Sequence, residues 1–159
     1  MNYTCHDVML PHRPTLHAAM TIAGAFAAIH HLNERFFPVV DDKGDFIGVF
    51  NSMSLVELLL PRSLTANLGR EMNPPELNFM RTSVAELRMR LHEHYEEPIT
   101  DFLMRDGLPL CSPDTGLMEA LYLLYRLRRS HAVVLAKGTR HYLGLVSVNS
   151  VLDSIVKSV

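Results

Sequence analysis

Cysteine is scarce in this 159-residue chain, with Cys5 and Cys111 its only two. Two thiols are too few for a disulfide framework, and neither belongs to a CxxC metal or redox motif, so both read as small buried thiols in a reducing compartment. Charge of one sign is also scarce. The formal net charge is −2, the pI is near 6.5, and Lys and Arg are interspersed with Asp and Glu. That leaves no electrostatic footprint for a phosphate backbone and excludes nucleic acid as the main partner. Arg126, Arg128 and Arg129 come closest to a basic patch, but they fall near the end of an expected helix, where cations meet the dipole and solvent. Long apolar runs are missing as well: Glu57 interrupts Leu55 to Leu60, and the first ten residues carry Asp7 in place of a basic leader. A cytoplasmic chain without membrane insertion is expected.

Catalytic constellations are equally thin. There is no P-loop, dinucleotide fingerprint or serine-nucleophile motif. Glu96-Glu97 and Asp41-Asp42 are adjacent pairs, and adjacency gives no geometry for paired acid and base work. Among the nine histidines, His30-His31 and His92-x-His94 lack the i, i+3 or i, i+4 spacing with a carboxylate that a helical metal site uses. No catalytic residue and no metal ligand is assigned, and an enzyme is not expected.

What the chain does contain is a repeat. Val8-Met9 is echoed 95 positions later by Leu103-Met104, and Ile22, Ala25, Phe26 and Ile29 by Leu117, Ala120, Leu121 and Leu124. Phe37 to Val40 corresponds to His131 to Val134, and Phe46 to Phe50 to Tyr142 to Val146, with small shifts of register that loop indels explain. In each copy the i, i+4, i+7 apolar spacing predicts an amphipathic helix, and the β-branched runs that follow predict a buried strand. Asp42-Lys43-Gly44-Asp45 and Lys137-Gly138-Thr139-Arg140 each offer a glycine for a tight hairpin, from which a second strand returns through Gly48 or Gly144.

Short closing helices are expected over Ser54 to Leu60 and Ser150 to Val156, with Ser54-x-x-Glu57 and Ser150-x-x-Asp153 as capping boxes. A short leading strand is expected near Thr15-Leu16 and near Leu108 to Cys111. The mixed α/β units divide as 1–63 and 99–159 around a connection, 64–98. Pro61, Pro74 and Pro75 keep the start of that connection irregular. Ser83-x-x-Glu86 then caps a helix over 83–97, with Val84, Leu87, Leu91 and Tyr95 on one face and Pro98 as its stop. Its length suggests a lid or a dimer contact.

These segments, above all Phe36-Phe37-Pro38-Val39-Val40-Asp41-Asp42-Lys43-Gly44-Asp45-Phe46-Ile47-Gly48-Val49 and Ala132-Val133-Val134 through Gly144-Leu145-Val146-Ser147, resemble the tandem cystathionine-β-synthase (CBS) domain pair, or Bateman module. The resemblance covers nearly the whole chain except the connection. It implies a β-α-β-β-α fold in each half, pairing of the halves through their sheets, and assembly into a disc-like homodimer. It also implies a regulatory ligand of adenosine type (AMP, ADP, ATP or S-adenosylmethionine) with no required cofactor, and regulation of an enzyme or transporter. Because the chain starts at Met1 and ends just after its last helix, that partner is expected to be a separate molecule.

Adenylate binders of this family usually carry Gly-hydrophobic-hydrophobic-Thr/Ser-x-x-Asp, whose carboxylate holds the ribose. Here the two motifs read Gly48-Val49-Phe50-Asn51-Ser52-Met53-Ser54 and Gly144-Leu145-Val146-Ser147-Val148-Asn149-Ser150, with serine in place of both aspartates. Exchanging a charged acceptor, worth roughly 1.5–3 kcal/mol per hydrogen bond, for a neutral one worth about 1 kcal/mol weakens ribose binding by about tenfold or more. Ser54 and Ser150 are then either helix caps alone or caps with a residual ribose contact. The second copy keeps Ser147 at the hydroxyl position where the first has Asn51, which makes it the better candidate. His131 and Ala132, and Phe37 and Pro38 in the first copy, match strand positions whose backbone touches adenine in the family, or are simply core. If neither cleft holds a nucleotide, the module is a ligand-free dimerisation scaffold.

Overall fold

A computed structural model describes residues 3–10, 14–32, 36–60, 81 and 83–158. Each repeat is β-α-β-β-α. A short helix, α1 (Cys5–Val8), precedes the first copy, which runs β1 (Leu16–His17), α2 (Ile22–Leu32), β2 (Phe36–Val40), β3 (Phe46–Asn51) and α3 (Ser52–Leu59). After α4 (Val84–Glu93) and a 3₁₀ turn (Ile99–Phe102) the second copy runs β4 (Leu110–Cys111), α5 (Leu117–Leu127), β5 (His131–Leu135), β6 (Tyr142–Ser147) and α6 (Val148–Lys157).

Both sheets have the order that a β-α-β crossover followed by a hairpin dictates, β1-β2-β3 and β4-β5-β6. The first pair of each is parallel, Leu16 opposite Val39 and Leu110 opposite Val133, and β5 and β6 are antiparallel with Ala132 opposite Val146. The hairpin glycines have the positive φ expected of them, +81° at Gly44 and +73° at Gly138. Helical spacing is realised as burial: Ile22, Ala25 and Ile29 of α2 are buried, as are Ala120 and Leu124 of α5.

Packing divides the chain into two compact units that do not coincide with the repeats. One comprises 1–18, 37–49 and 104–159, the other 19–36 and 50–103. The first unit holds both sheets, whose hairpin tips meet: the Phe46 N–H donates to the Arg140 carbonyl (2.7 Å), the Tyr142 N–H to the Gly44 carbonyl (3.0 Å), and the Arg140 guanidinium lies 5.3 Å from the centre of the Phe46 ring. A core of Cys5, Val8, Cys111, Ala120, Leu124, Ala132, Val134, Val146 and Val151 fills the second repeat. Two of its members come from α1, so the segment ahead of the first repeat completes the second. Its backbone is tied there, with Cys5 N–H donating to the Thr115 carbonyl (2.8 Å), His6 N–H to that of Pro113 (2.9 Å) and Leu10 N–H to that of Leu145 (2.7 Å).

The exchange is reciprocal. Met104, ahead of the second repeat, pairs with Val49 of β3 through bonds of 2.8 and 2.9 Å. In the second unit Ile99, the counterpart of Cys5, is fully buried and its N–H donates to the Met20 carbonyl (3.1 Å). There α3 packs on α4 and on the 3₁₀ turn.

Three local boundaries differ from expectation. The closing helices begin two residues early, at Ser52 and Val148, so their N-caps are Asn51 and Ser147, and Ser54 and Ser150 occupy the third helical position. The capping boxes are therefore Asn51-x-x-Ser54 and Ser147-x-x-Ser150, in which a serine hydroxyl does what Glu or Gln does elsewhere. The connecting helix stops at Glu93, not 97, because the Tyr95 and Glu97 carbonyls turn to accept the orphan N–H groups of Ala23 (3.1 Å) and Ile22 (2.9 Å) at the start of α2. Leu87, Leu91 and Tyr95 are half-buried as their spacing predicts, whereas Val84 is exposed. The leading strands are Leu16–His17 and Leu110–Cys111. Pro61, Pro74 and Pro75 lie outside the described residues.

Candidate functional site

The antiparallel register of β5 and β6 places His131 opposite Ser147 and Ala132 opposite Val146. That juxtaposition is fixed by the Gly138 hairpin and by the Val148 N–H, which donates to the Ser130 carbonyl (3.0 Å) at the end of the sheet. Ser147 closes β6 in extended conformation and opens α6. Its Oγ accepts the Ser150 N–H (2.9 Å), its N–H donates to Ser150 Oγ (3.0 Å), and Ser150 Oγ–H donates to the Ser147 carbonyl (2.9 Å). The four second-copy candidates, His131, Ala132, Ser147 and Ser150, thus share one corner where the sheet ends and a helix begins. Ala132 has no exposed side chain and Ser147 is nearly covered, while His131 and Ser150 are half-buried. The His131 ring is oriented by Ser130, whose Oγ lies 2.9 Å from Nδ1.

The first copy shows the same box in its own setting. Asn51 Oδ1 accepts the Ser54 N–H (3.1 Å), and the Asn51 N–H donates to Ser54 Oγ (3.2 Å), whose hydroxyl in turn faces Asn51 Oδ1 at 3.4 Å. Ser54 is only 4% exposed, so its hydroxyl is enclosed as well as paired. Phe37 and Pro38, in the middle of β2, are both fully buried, which leaves their backbone as the part able to meet a ligand. Ser150 is the more accessible of the two serines.

An open groove of about 390 Å³ lies between α1 and α6, with Ser150, Asp7, Asp153 and Lys157 on its walls. It includes Ser150 but not Ser147, His131 or Ala132. Asp7 is committed at this place: its carboxylate accepts the Thr4 N–H (2.8 Å), which together with the Thr4 hydroxyl holds it below the ordinary carboxylate range.

Among the described residues no three His, Cys, Asp or Glu side chains gather as a metal site. Carboxylates meet histidines two at a time, as in His17 Nε2 with Asp42 Oδ1 at 2.6 Å and His94 Nδ1 with Glu97 Oε2 at 2.8 Å. The pairing that spacing gave no hint of is between the two thiols. Cys5 on α1 and Cys111 on β4 are hydrogen-bonded to each other within the core. Their contact, together with burial, pushes the ionisation of Cys5 far up, while the same contact pulls the Cys111 thiol down. Only the exchange of the leading segment brings them together, and no local motif encodes that.

Among the described residues no helix is long and apolar enough to cross a membrane. The α5–α6 layer instead carries a row of exposed apolar side chains: Met118 (82% exposed), Tyr122, Tyr125, Leu152, Ile155 and Val156 (71%).

Comparison with known proteins gives a consistent picture. The family model for the CBS domain matches residues 5–61 and again 99–157. No curated protein matches the chain. Among solved structures, CBSX2 from Arabidopsis thaliana is 16% identical with a TM-score of 0.71, over 99% of this chain and 97% of that one. CBSX2 in complex with AMP is 18% identical with a TM-score of 0.69, over 98% of both chains. The protein MJ1004 from Methanocaldococcus jannaschii is 15% identical with a TM-score of 0.67, and this chain, matched over 97% of its length, spans 60% of that longer one. At such identities the likeness is one of fold.

Proposed function

Because the chain belongs to the CBS-domain family and carries the domain twice, we propose that it is a regulatory module, not a catalyst, that takes an adenosine-type nucleotide at its second copy and passes the change to a separate enzyme or transporter. The observation that carries this reading is the corner where His131 and Ala132 meet Ser147 and Ser150. It offers strand backbone for an adenine edge and hydroxyls at a helix start for a ribose. A solved relative of like fold was crystallised with AMP. The first-copy candidates are weaker, since Phe37 and Pro38 offer only backbone, Ser54 is enclosed and Asn51 replaces the hydroxyl.

The exposed apolar face of α5 and α6 is where two copies would pair into a homodimer, as amphipathic helices left half-covered need a partner. The balanced charge supports a cytoplasmic site of action.

Titration calorimetry with AMP, ADP, ATP and S-adenosylmethionine tests the nucleotide reading. Heat and a thermal shift with at least one of them at millimolar concentration are expected, and silence with all four refutes it. One observation favours a second reading, a ligand-free dimerisation scaffold: the Ser54 and Ser150 hydroxyls are both already engaged inside their own capping boxes. A nucleotide recovered from the purified protein would sink that reading.

A further inference from the structure

We propose that Cys5 and Cys111 are a reversible redox clasp, closed to a disulfide by a hydroperoxide or by a small-molecule disulfide, which staples α1 to the second repeat. The inference stands apart from the nucleotide reading and needs no ligand. Its basis is geometric. The two thiols are far apart in the sequence, yet both lie in one core, Cys5 fully buried and Cys111 6% exposed. They share that one core and each is the largest influence on the other's ionisation, which sets the two sulfurs as neighbours that a covalent bond of about 2.05 Å could join.

Burial alone makes a thiol inert, and α1 is what lifts that protection. It is a helix of only four residues, and its segment is held to the second repeat by a few backbone bonds, from Cys5, His6 and Leu10. Short segments of this kind open locally at lower cost than global unfolding. Opening uncovers both sulfurs at once.

The chemistry balances in two steps. The Cys111 thiolate attacks the peroxide and gives a sulfenic acid, with a hydroxyl transferred to sulfur and water leaving after proton uptake. The Cys5 sulfur then displaces the hydroxyl from Cys111, forming the S–S bond and releasing a second water. Two thiols are oxidised and one peroxide is reduced. With oxidised glutathione, Cys111 instead forms a mixed disulfide, which Cys5 resolves with release of two glutathione thiols in all. Here Cys111, which stays on β4 when α1 opens, is the first nucleophile, and the reverse order balances equally.

The bond would close a loop from residue 5 to residue 111, a long one, so the oxidised protein gains stability through its unfolded state. The test uses the purified, reduced full chain in native buffer, treated with hydrogen peroxide or oxidised glutathione and read by intact mass and peptide mapping. The expected product is lighter by two hydrogen atoms, is monomeric on a denaturing non-reducing gel, and links the Cys5 and Cys111 peptides. Dithiothreitol restores the original mass. Its thermal midpoint rises by more than about 5 °C. Two alkylatable thiols after treatment, oxygen addition without a link, or a disulfide only between chains would each overturn the proposal. Cys5→Ala and Cys111→Ala should each abolish the mass loss; should either fail to fold, the wild-type mass still decides.

Discussion

Replacing Ser150 by aspartate separates the structural role of this position from its role toward a ligand. In the present chain Ser150 Oγ accepts the Ser147 N–H (3.0 Å) and gives its own proton back to the Ser147 carbonyl (2.9 Å). An aspartate at the third helical position keeps the acceptor, adds a full charge to a first turn that has no acidic residue, and frees a second oxygen. The charge at the N-terminus of α6 is worth about 0.3–1 kcal/mol, or roughly 1–4 °C in the midpoint of a chain this size. That gain is present at neutral pH and lost as pH falls through the carboxylate range, since the helix end lowers the pKa of the folded state. The freed oxygen turns a neutral ribose contact into a charged one, a difference of about 1–1.5 kcal/mol and hence about tenfold in Kd. Scanning fluorimetry without ligand and calorimetry with AMP read the two effects apart. A higher midpoint with unchanged AMP affinity would refute the ribose assignment, and an unchanged midpoint would refute the capping box as well.

Other expectations follow from single positions. Gly116 caps α5 with ordinary extended backbone and open space around a would-be Cβ, whereas its first-repeat counterpart Thr21 bonds the Gly24 N–H (3.3 Å); Gly116→Thr should stabilise by about 0.5–1 kcal/mol in urea unfolding. Arg128 ends α5 at φ 54°, with its guanidinium 4.5 Å from the centre of the Tyr125 ring. Arg128→Val should cost about 1–2 kcal/mol while Arg128→Gly stays within about 0.5 kcal/mol, and equal losses would show that backbone strain is not the issue. Asp7 has its pKa lowered by the Thr4 N–H, so its contribution is complete above the ordinary carboxylate range and disappears as pH falls through the lowered value. Asp7→Asn should flatten the acid limb of the stability profile measured by circular dichroism.

The fold was legible because its determinants are local. The i, i+4, i+7 spacing of Ile22, Phe26 and Ile29, the β-branched strands and the hairpin glycines each speak for one element, and their recurrence speaks for two units. Helix starts differ from the sequence expectation by two residues because a serine serves equally as N-cap and as partner at the third helical position, and Ser54-x-x-Glu57 offers a plausible but false box. The end of α4 was misplaced because what stops it is the demand of α2 for carbonyl acceptors, a tertiary cause. In the candidate site, the family resemblance singles out Ser147 and Ser150 as well as His131 and Ala132, and the register of β5 and β6 sets the two pairs side by side. The thiol pair was invisible because Cys5 and Cys111 are joined only by the crossing of leading segments.

That crossing imposes an order on synthesis. Residues 5 to 10 leave the ribosome well before the groups that receive them, the carbonyls of Pro113, Thr115 and Leu145, are made. At about 5–20 residues per second, Cys5 waits roughly 5–20 s for Cys111 to appear. Over that interval the nascent chain carries a bare thiol and an unsatisfied apolar segment, which makes the newborn protein more vulnerable to oxidants and to mispairing than the finished one.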